Sequence, residues 1–232
     1  MTAVHRAAPY PPPGMVGPRL IAAWALRTQT SSVRVDGIEH VPRDGPVLLL
    51  ARHYHHLLDG AVVVAHLRRP VHIVVGLDWT AGAGQRRWME RACRWARYPV
   101  ILRPATTGTR GGYDARETSR YLRSGLGDAA NLLRDGRVVL VFPEGYPVID
   151  PAASEAAPRR PGDEGMLPFA AGFRTILAAA QRRGARDVTV VPLGFRYERV
   201  GARWNVTARF GVPLAVPAAV DDAERAVRSL SQ

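Results

Sequence analysis

Three short apolar segments constrain the fold of this chain more than any other feature of its sequence. They cover residues 47–51, 71–77 and 138–142, and the first and last of them, VLLLA and VVLVF, contain no polar side chain. A strand that is apolar on both faces is buried on both sides, which is typical of a parallel sheet covered by helices. Segments with helical patterns separate them, at residues 59–68, 85–97, 115–134 and 169–183. We therefore predict an α/β fold, a single domain with a mostly parallel mixed sheet flanked by helices.

The rest of the sequence sets the limits of this domain. The chain has 232 residues, enough to bury a full hydrophobic core. Prolines recur through residues 1–18, which predicts a flexible N-terminal arm there and the domain over residues 19–232. Neither a segment of the ~20 apolar residues that span a bilayer nor a signal peptide is expected. The single cysteine, Cys93, excludes an internal disulfide.

The charge of the chain indicates an anionic partner. It carries 32 basic residues, all of them arginine, against 20 acidic residues, a formal net charge of +12. Residues 1–110 hold 15 arginines and 6 acidic residues, whereas residues 111–232 hold 17 and 14. Charge alone is compatible with nucleic acid, a phospholipid surface or a phosphorylated substrate, and the first half of the chain is the better partner for each.

A run of histidines follows the first apolar segment. The sequence RHYHHLLDG places Arg52, His53, His55 and His56 shortly before Asp59, at a strand-to-helix junction. Such junctions at the carboxyl edge of a sheet are where α/β proteins place their sites. A histidine beside a carboxylate can act as a general base, clustered histidines can bind a metal, and all of them can be ordinary surface groups. The segment alone leaves these alternatives open.

Two further apolar segments end in residues suited to substrate binding. Residues 138–142 run into Pro143, Glu144 and Gly145, a turn that places a carboxylate at the end of a strand. Residues 100–102 run into Arg103, whose planar guanidinium can bind a phosphate through two hydrogen bonds. Taken alone, each feature is more often an ordinary turn or a surface arginine.

In their order along the chain, these segments resemble the glycerophosphate and lysophospholipid acyltransferase family. The lead-in DGIEHVPRDGPVLLLARH resembles the approach to the family's first block, and the apolar run that ends in Arg103 resembles the second. Phe142, Pro143, Glu144 and Gly145 match the third block, F-P-E-G, in full. Residues 169–172 match the Phe-x-x-Gly helix start, and residues 191–192 match the Val-Pro of the fourth block. The resemblance extends over about residues 34–212.

Several positions depart from the family's pattern. The family separates its histidine from its aspartate by four residues, whereas five lie between His53 and Asp59. His55 is nearer to Asp59, but His53 follows the strand as the family's histidine does, so we favour His53 as the base. The asparagine usual before that histidine is Arg52 here, and no arginine follows the F-P-E-G block. This leaves Arg103, with Arg52 as a substitute, to recognise a phosphate.

The resemblance implies a reaction and its residues. An acyl group would move from acyl-CoA or acyl carrier protein to a hydroxyl of a lysophospholipid or glycerol-phosphate-type acceptor, as in phospholipid biosynthesis. His53 would be the general base and Asp59 would orient it. The acceptor would be held by Arg103, Arg52, Phe142, Pro143, Glu144 and Gly145. No metal or other cofactor is implied beyond the acyl donor as co-substrate, and Cys93 is expected to be a small core residue.

Two helical segments are candidates for contact with a membrane surface. In residues 85–97, Trp88 and Trp95 are predicted to share one face with Cys93, while the opposite face is basic. That composition is typical of a helix that lies in a membrane interface, although an apolar face packed on the sheet is the common alternative. The second segment, residues 19–29, carries Trp24. The expected membrane-contact residues are Trp24, Arg87, Trp88, Arg91, Arg94 and Trp95.

These expectations place the protein peripherally on the cytoplasmic face of a membrane, with a lipid surface, an acyl donor and a lysolipid as partners. Two other functions remain open at this stage. One is a catalytically divergent, basic lipid-binding protein on the same scaffold, and the other is an acyltransferase for a non-phosphorylated acceptor. Nucleic acid is not an expected partner, because no motif that combines basic and aromatic residues supports it.

Overall fold

The structure is a computed structural model that describes residues 16–80, 82–103, 113–149 and 165–232. Its strands are β1 (Thr30–Asp36), β2 (Val47–Ala51), β3 (Val71–Ile73), β4 (Val75–Gly76), β5 (Val100–Ile101), β6 (Val138–Val141), β7 (Thr189–Val200) and β8 (Arg203–Phe210). Its α-helices are α1 (Val16–Gln29), α2 (Leu58–His66), α3 (Ala83–Ala96), α4 (Ala115–Arg134), α5 (Gly172–Arg182) and α6 (Val220–Leu230). A 3-10 helix, Ile38–His40, follows β1.

Six strands form one mixed sheet in the order β1–β8–β7–β2–β6–β3. Only the β7–β8 hairpin is antiparallel, and the other four pairings in this sheet are parallel. Strand β2 lies in the middle, with Leu49 opposite Leu140 of β6 on one side and Val191 of β7 on the other. The predicted α/β domain around a mostly parallel mixed sheet is confirmed.

Helices cover both faces of the sheet, which is why the central strands are apolar throughout. From β2, Val47, Leu49 and Ala51 point into a core shared with α1 and α2. The alternate residues Leu48 and Leu50 point into a second core, which α4, α5 and α6 complete. All five β2 side chains are fully buried. At about 25 cal/mol per Å² of apolar surface, this two-sided burial is the main source of stability for such a layered fold.

The predicted strand over residues 71–77 is wrong in one respect, because the chain changes partner at Val74. The Val74 amide still donates to Leu140 O of β6 at 2.9 Å, but the Val75 amide donates to Pro99 O at 2.8 Å. Strands β4 and β5 therefore form a separate two-stranded parallel sheet. Gly76 sits beneath two charged side chains, since a Cβ there would lie 3.1 Å from Asp78 Oδ1.

Two other boundaries differ from those predicted. Helix α1 begins at Val16 rather than residue 19, so residues 16–18 are helical and do not belong to an arm. Pro18 lies in the first turn, where its missing N–H has no helical partner to lose. The apolar pattern of residues 187–193 predicts a strand that ends at residue 193, but β7 continues to Val200 because β8 pairs with it along its whole outer half. Residues 1–15 of the predicted arm lie outside the described residues. The proline, alanine and charged residues of 147–167 predict an exposed loop, of which residues 150–164 also lie outside the described residues.

Candidate active site

His53 and Asp59 form a dyad where β2 ends. Nδ1 of His53 lies 3.0 Å from Oδ2 of Asp59. A carboxylate accepts this hydrogen bond, so Nδ1 carries the proton and Nε2 of the neutral ring carries the lone pair. The His53 side chain remains 15% exposed, whereas that of Asp59 is fully buried. This is the arrangement of a general base and the carboxylate that orients it.

The Asp59 carboxylate also allows the turn between His53 and Asp59 to hold one residue more than the family's pattern has. The backbone amides of Tyr54 and His55 donate to its Oδ2 at 2.7 and 2.8 Å. These bonds fold the chain around the carboxylate before α2 begins, so five intervening residues still bring His53 to Asp59. The Tyr197 hydroxyl on β7 donates to Oδ1. Four donors therefore compensate the burial of this charge.

Glu144 and Phe142 hold His53 in place from the neighbouring strand. Oε1 of Glu144 accepts a hydrogen bond from the His53 amide at 2.6 Å, and Oε2 accepts one from the Leu167 amide at 2.8 Å. The Phe142 ring stacks on the His53 imidazole, with ring centroids 4.2 Å apart. Burial raises the pKa of Glu144 to about 8, although both amides and Arg52 act in the opposite direction. Both Glu144 oxygens thus face the backbone of the protein itself.

Pro143 and Gly145 give this turn its shape. Gly145 has a φ of +78°, which favours glycine, and its amide donates to Phe142 O at 3.0 Å. The Pro143 carbonyl accepts a hydrogen bond from the Ala170 amide at 2.9 Å. The F-P-E-G turn therefore ties the end of β6 both to the His53 loop and to the segment before α5.

Arg103 lies at the same turn, but its guanidinium is already paired with the carboxylate of Asp78. Nε lies 3.0 and 2.8 Å from the two oxygens of Asp78, and Nη2 lies 2.6 Å from Oδ2. Nη1 donates to Gly145 O, and the guanidinium carbon lies 3.5 Å from the Tyr146 ring centroid. Asp78 follows β4 and Arg103 follows β5, so the ion pair joins the small sheet to the F-P-E-G turn.

Arg52 faces the C-terminal helix. Its buried guanidinium donates to Phe195 O of β7 at 3.1 Å and to Ser231 O, just after α6, at 3.5 Å. The guanidinium carbon also lies 5.3 Å from the Tyr54 ring centroid. Arg52 thus links β7 and the end of α6 to the residue that precedes His53, and the predicted contact with a phosphate remains a prediction.

The other two histidines of the run, His55 and His56, lie just before α2. Nδ1 of His55 accepts weak hydrogen bonds from the Leu57 and Leu58 amides, at 3.3 and 3.4 Å, at the start of α2. Burial is the main reason that the pKa of His55 is lowered. Within the described parts of the chain, no three histidine, cysteine or acidic side chains are grouped as metal ligands. Of the three histidines, His53 is the one whose ring hydrogen-bonds to the Asp59 carboxylate.

Helix α3 is exposed in a different pattern from the predicted one. Trp88 and Trp95 are 66% and 58% exposed, whereas Cys93 and Ala96 are buried. The tryptophans are seven residues apart, so they share a face with Arg91 and are flanked by Arg87 and Arg94 rather than by the core residues. The expected grouping of the tryptophans with Cys93 is therefore wrong. Burial raises the pKa of the Cys93 thiol to about 11, which makes it a poor nucleophile.

Helix α1 adds a second exposed apolar strip next to α3. Leu20, Ile21 and Trp24 are between 56% and 65% exposed. The ring of Trp95 packs on Gly17 so closely that a Cβ there would overlap it, and this contact joins the two helices. Among the described residues, no helix is both long and apolar enough to cross a membrane.

Sequence reasoning missed two residues of the site, Tyr197 and Asp78. Tyr197 is 138 residues from Asp59 in the chain, and no local pattern marks it as a partner. Asp78 carries a detectable signal, because it follows the apolar segment 71–77 as Arg103 follows residues 100–102. Both segments end at the same edge of the structure, where these side chains meet.

Comparison with known proteins identifies the family of this chain. A family model described as Acyltransferase matches residues 32–196. A search of curated proteins finds no significant match. The fold is similar to the crystal structure of the 1-acyl-sn-glycerophosphate (LPA) acyltransferase PlsC from Thermotoga maritima, with a TM-score of 0.55 and 16% sequence identity, over 93% of this chain and 77% of that one. Because the family model spans well over half of the sequence, the chain belongs to the acyltransferase family and is an O-acyltransferase.

Proposed function

We propose that this enzyme transfers a fatty acyl group from a thioester, acyl-CoA or acyl carrier protein, to a hydroxyl of a lysophospholipid or glycerol-phosphate-type acceptor. The contact of 3.0 Å between His53 Nδ1 and Asp59 Oδ2 carries the proposal. It places a base with a free Nε2 lone pair at the edge of the sheet where the family's blocks converge. The name of the similar structure, an LPA acyltransferase, supports an acceptor of this class.

The chemistry follows from the weakness of an alcohol as a nucleophile at neutral pH. His53 Nε2 takes the hydroxyl proton as the oxygen attacks the thioester carbonyl, and Asp59 stabilises the imidazolium that forms. The carbon–sulfur bond then breaks, and the leaving thiolate takes the proton back from Nε2. The products are an ester and a free thiol. Base catalysis of this kind contributes about 10²- to 10⁴-fold.

We also propose that a phospholipid surface is the partner of α1 and α3. The arginine–tryptophan surface consists of Trp24, Arg87, Trp88, Arg91, Arg94 and Trp95. Its exposed indoles suit the interface of a bilayer, and its guanidinium groups suit anionic headgroups. An amphipathic acceptor resides in such a membrane, so docking there would bring the site to its substrate.

A panel of acceptors tests the function. Purified protein is given a long-chain acyl-CoA or the same acyl chain on acyl carrier protein. Each donor is tested separately with lysolipids, glycerol 3-phosphate and a monoacylglycerol, and thiol release, ester formation and vesicle binding are measured. We expect release of thiol and formation of ester in equal amounts, dependent on a phosphate-containing acceptor. Acyl transfer to the monoacylglycerol alone would contradict the proposed acceptor class. Vesicle binding without transfer from either type of donor would contradict the enzyme reaction.

A further inference from the structure

We infer that Asp78 determines acceptor specificity by keeping the Arg103 guanidinium from a phosphate monoester. The inference rests on the proposed function, and it narrows the acceptor to one whose phosphate, if present, is a diester with a single charge. The observation behind it is the ion pair itself. Asp78 contacts both Nε and Nη2 of Arg103, with its shortest contact at 2.6 Å.

The pair is largely shielded from water. Asp78 is 2% exposed, and the Arg103 side chain is 16% exposed. Two further contacts hold the guanidinium in this position, Gly145 O at Nη1 and the Tyr146 ring at 3.5 Å. A charge pair in such surroundings is screened little by solvent. An incoming anion therefore has to displace the Asp78 carboxylate before it can form the same paired hydrogen bonds with the guanidinium.

The pair is also linked to His53 through the F-P-E-G turn. Arg103 binds the Gly145 carbonyl, and the adjacent Glu144 accepts the His53 amide at 2.6 Å. Under this inference, the headgroup of an acceptor whose hydroxyl reaches Nε2 of His53 lies on the side of Asp78 and Arg103. Arg52 is engaged elsewhere in this arrangement, because its guanidinium donates to Phe195 O and Ser231 O.

Charge then discriminates between classes of phosphate. A phosphate monoester carries about −1.5 to −2 charges at pH 7, and the Asp78 carboxylate repels it more strongly than it repels a diester of one charge. Neutral hydroxyl headgroups meet no such repulsion. The structure therefore favours acceptors of the lysophospholipid diester class over lysophosphatidic acid and glycerol 3-phosphate.

Binding of two soluble headgroups by titration calorimetry tests this inference without relying on turnover. Wild type and Asp78→Asn are titrated with glycerol 3-phosphate, a monoester, and with glycerophosphoglycerol, a diester. We expect wild type to bind the diester more tightly. Because like charges in close contact strongly weaken binding, Asp78→Asn is expected to raise affinity for the monoester at least about tenfold and to change affinity for the diester by less than about threefold.

The control is Asp135→Asn, which breaks the exposed pair of Asp135 with Arg134 before β6 and should change neither affinity. Tighter binding of the monoester by wild type would overturn the inference, and so would unchanged or undetectable monoester binding in Asp78→Asn. If Asp78→Asn unfolds at a much lower temperature than wild type, the variant is set aside. The inference is then tested only by which of the two headgroups wild type binds more tightly. Absence of acyl transfer to every acceptor would instead contradict the proposed function.

Discussion

At the scale of single residues, Asp59 is the group on which the site depends. It orients His53, closes the turn through two amides and accepts the Tyr197 hydroxyl. Burial and the neighbouring Asp59 charge both raise the pKa of Tyr197 well above its ordinary value, so the phenol stays a donor. A change at either residue therefore alters the proposed base without touching its ring.

Asp59→Asn is expected to lower kcat by about 10²- to 10⁴-fold, because an amide can neither fix the His53 tautomer nor stabilise its cation. Tyr197→Phe should lower kcat less and leave KM for the acyl donor unchanged, since it removes only one of four donors to the carboxylate. Steady-state thiol release measures both effects, with melting curves as the check on folding. Equal kcat values for Asp59→Asn and wild type would contradict the assigned function of Asp59.

The raised pKa of Glu144 leads to a prediction about how the stability of the protein depends on pH. Its folded-state pKa of about 8 lies above the ordinary value of 4.5, so the folded protein binds more protons than the unfolded chain between these values. The contribution of Glu144 to the free energy of unfolding is therefore greatest below pH 4.5 and declines as the pH rises towards 8. Glu144→Gln should flatten this dependence, measured by denaturant unfolding at pH 5 and pH 8. The same slope in variant and wild type would contradict the burial argument.

The site residues that could be predicted from the sequence differ from those that could not in whether local sequence or tertiary packing places them. His53, Asp59 and the F-P-E-G turn lie at the ends of apolar strands, so local pattern and the family resemblance reveal them together. Tyr197 and Asp78 act through partners on other strands, and only the pairing of β7 with β2 and of β4 with β5 brings them to the site. Side-chain pairings between distant strands are decided by tertiary packing.

At the scale of elements, the contact of α4 with β5 positions Arg103. A Cβ at Gly125 in α4 would overlap the Val100 carbonyl oxygen and lie 2.7 Å from Ile101 Cγ2. The lack of a side chain at Gly125 therefore lets the helix lie directly on the strand that carries Arg103. The sequence predicted both elements, yet nothing in their local patterns indicated that this glycine is their point of contact.

Gly125→Ala is expected to lower the free energy of unfolding by about 1–3 kcal/mol, because overpacking forces helix and strand apart. Gly84→Ala in α3 is the matched control. Nothing lies within 4 Å of a Cβ at that helical position, and the change should be neutral or stabilise the protein by up to about 1 kcal/mol. Denaturant unfolding measures both variants. A stable Gly125→Ala would show that α4 is not in close contact with β5.

At the scale of the whole molecule, the arginine–tryptophan surface leads to a prediction about binding to anionic membranes. Reversing Arg87, Arg91 and Arg94 to glutamate should reduce sedimentation with vesicles rich in anionic lipid, since each basic residue near such a leaflet contributes about 1 kcal/mol. Raising the salt concentration should weaken wild-type binding in the same way.

The matched control reverses three exposed arginines at positions 116, 120 and 123, which changes the net charge equally on the neighbouring helix α4. It should bind vesicles more tightly than the α3 triple variant. Equal losses in both triple variants would indicate that net charge alone, and not this surface, governs attraction to the vesicle.

The dyad is the central claim, and a comparison of His53→Ala with His55→Ala tests it most directly. The measurement is acceptor-dependent thiol release at saturating acyl-CoA, with the acceptor that wild type uses best. We predict a loss of about 10²- to 10⁴-fold in His53→Ala. His55→Ala should keep most of the activity, because the His55 ring bonds to the start of α2 and packs near Tyr197 and Trp204, whereas the His53 ring bonds to Asp59. Full activity in His53→Ala, or a larger loss in His55→Ala, would contradict this account.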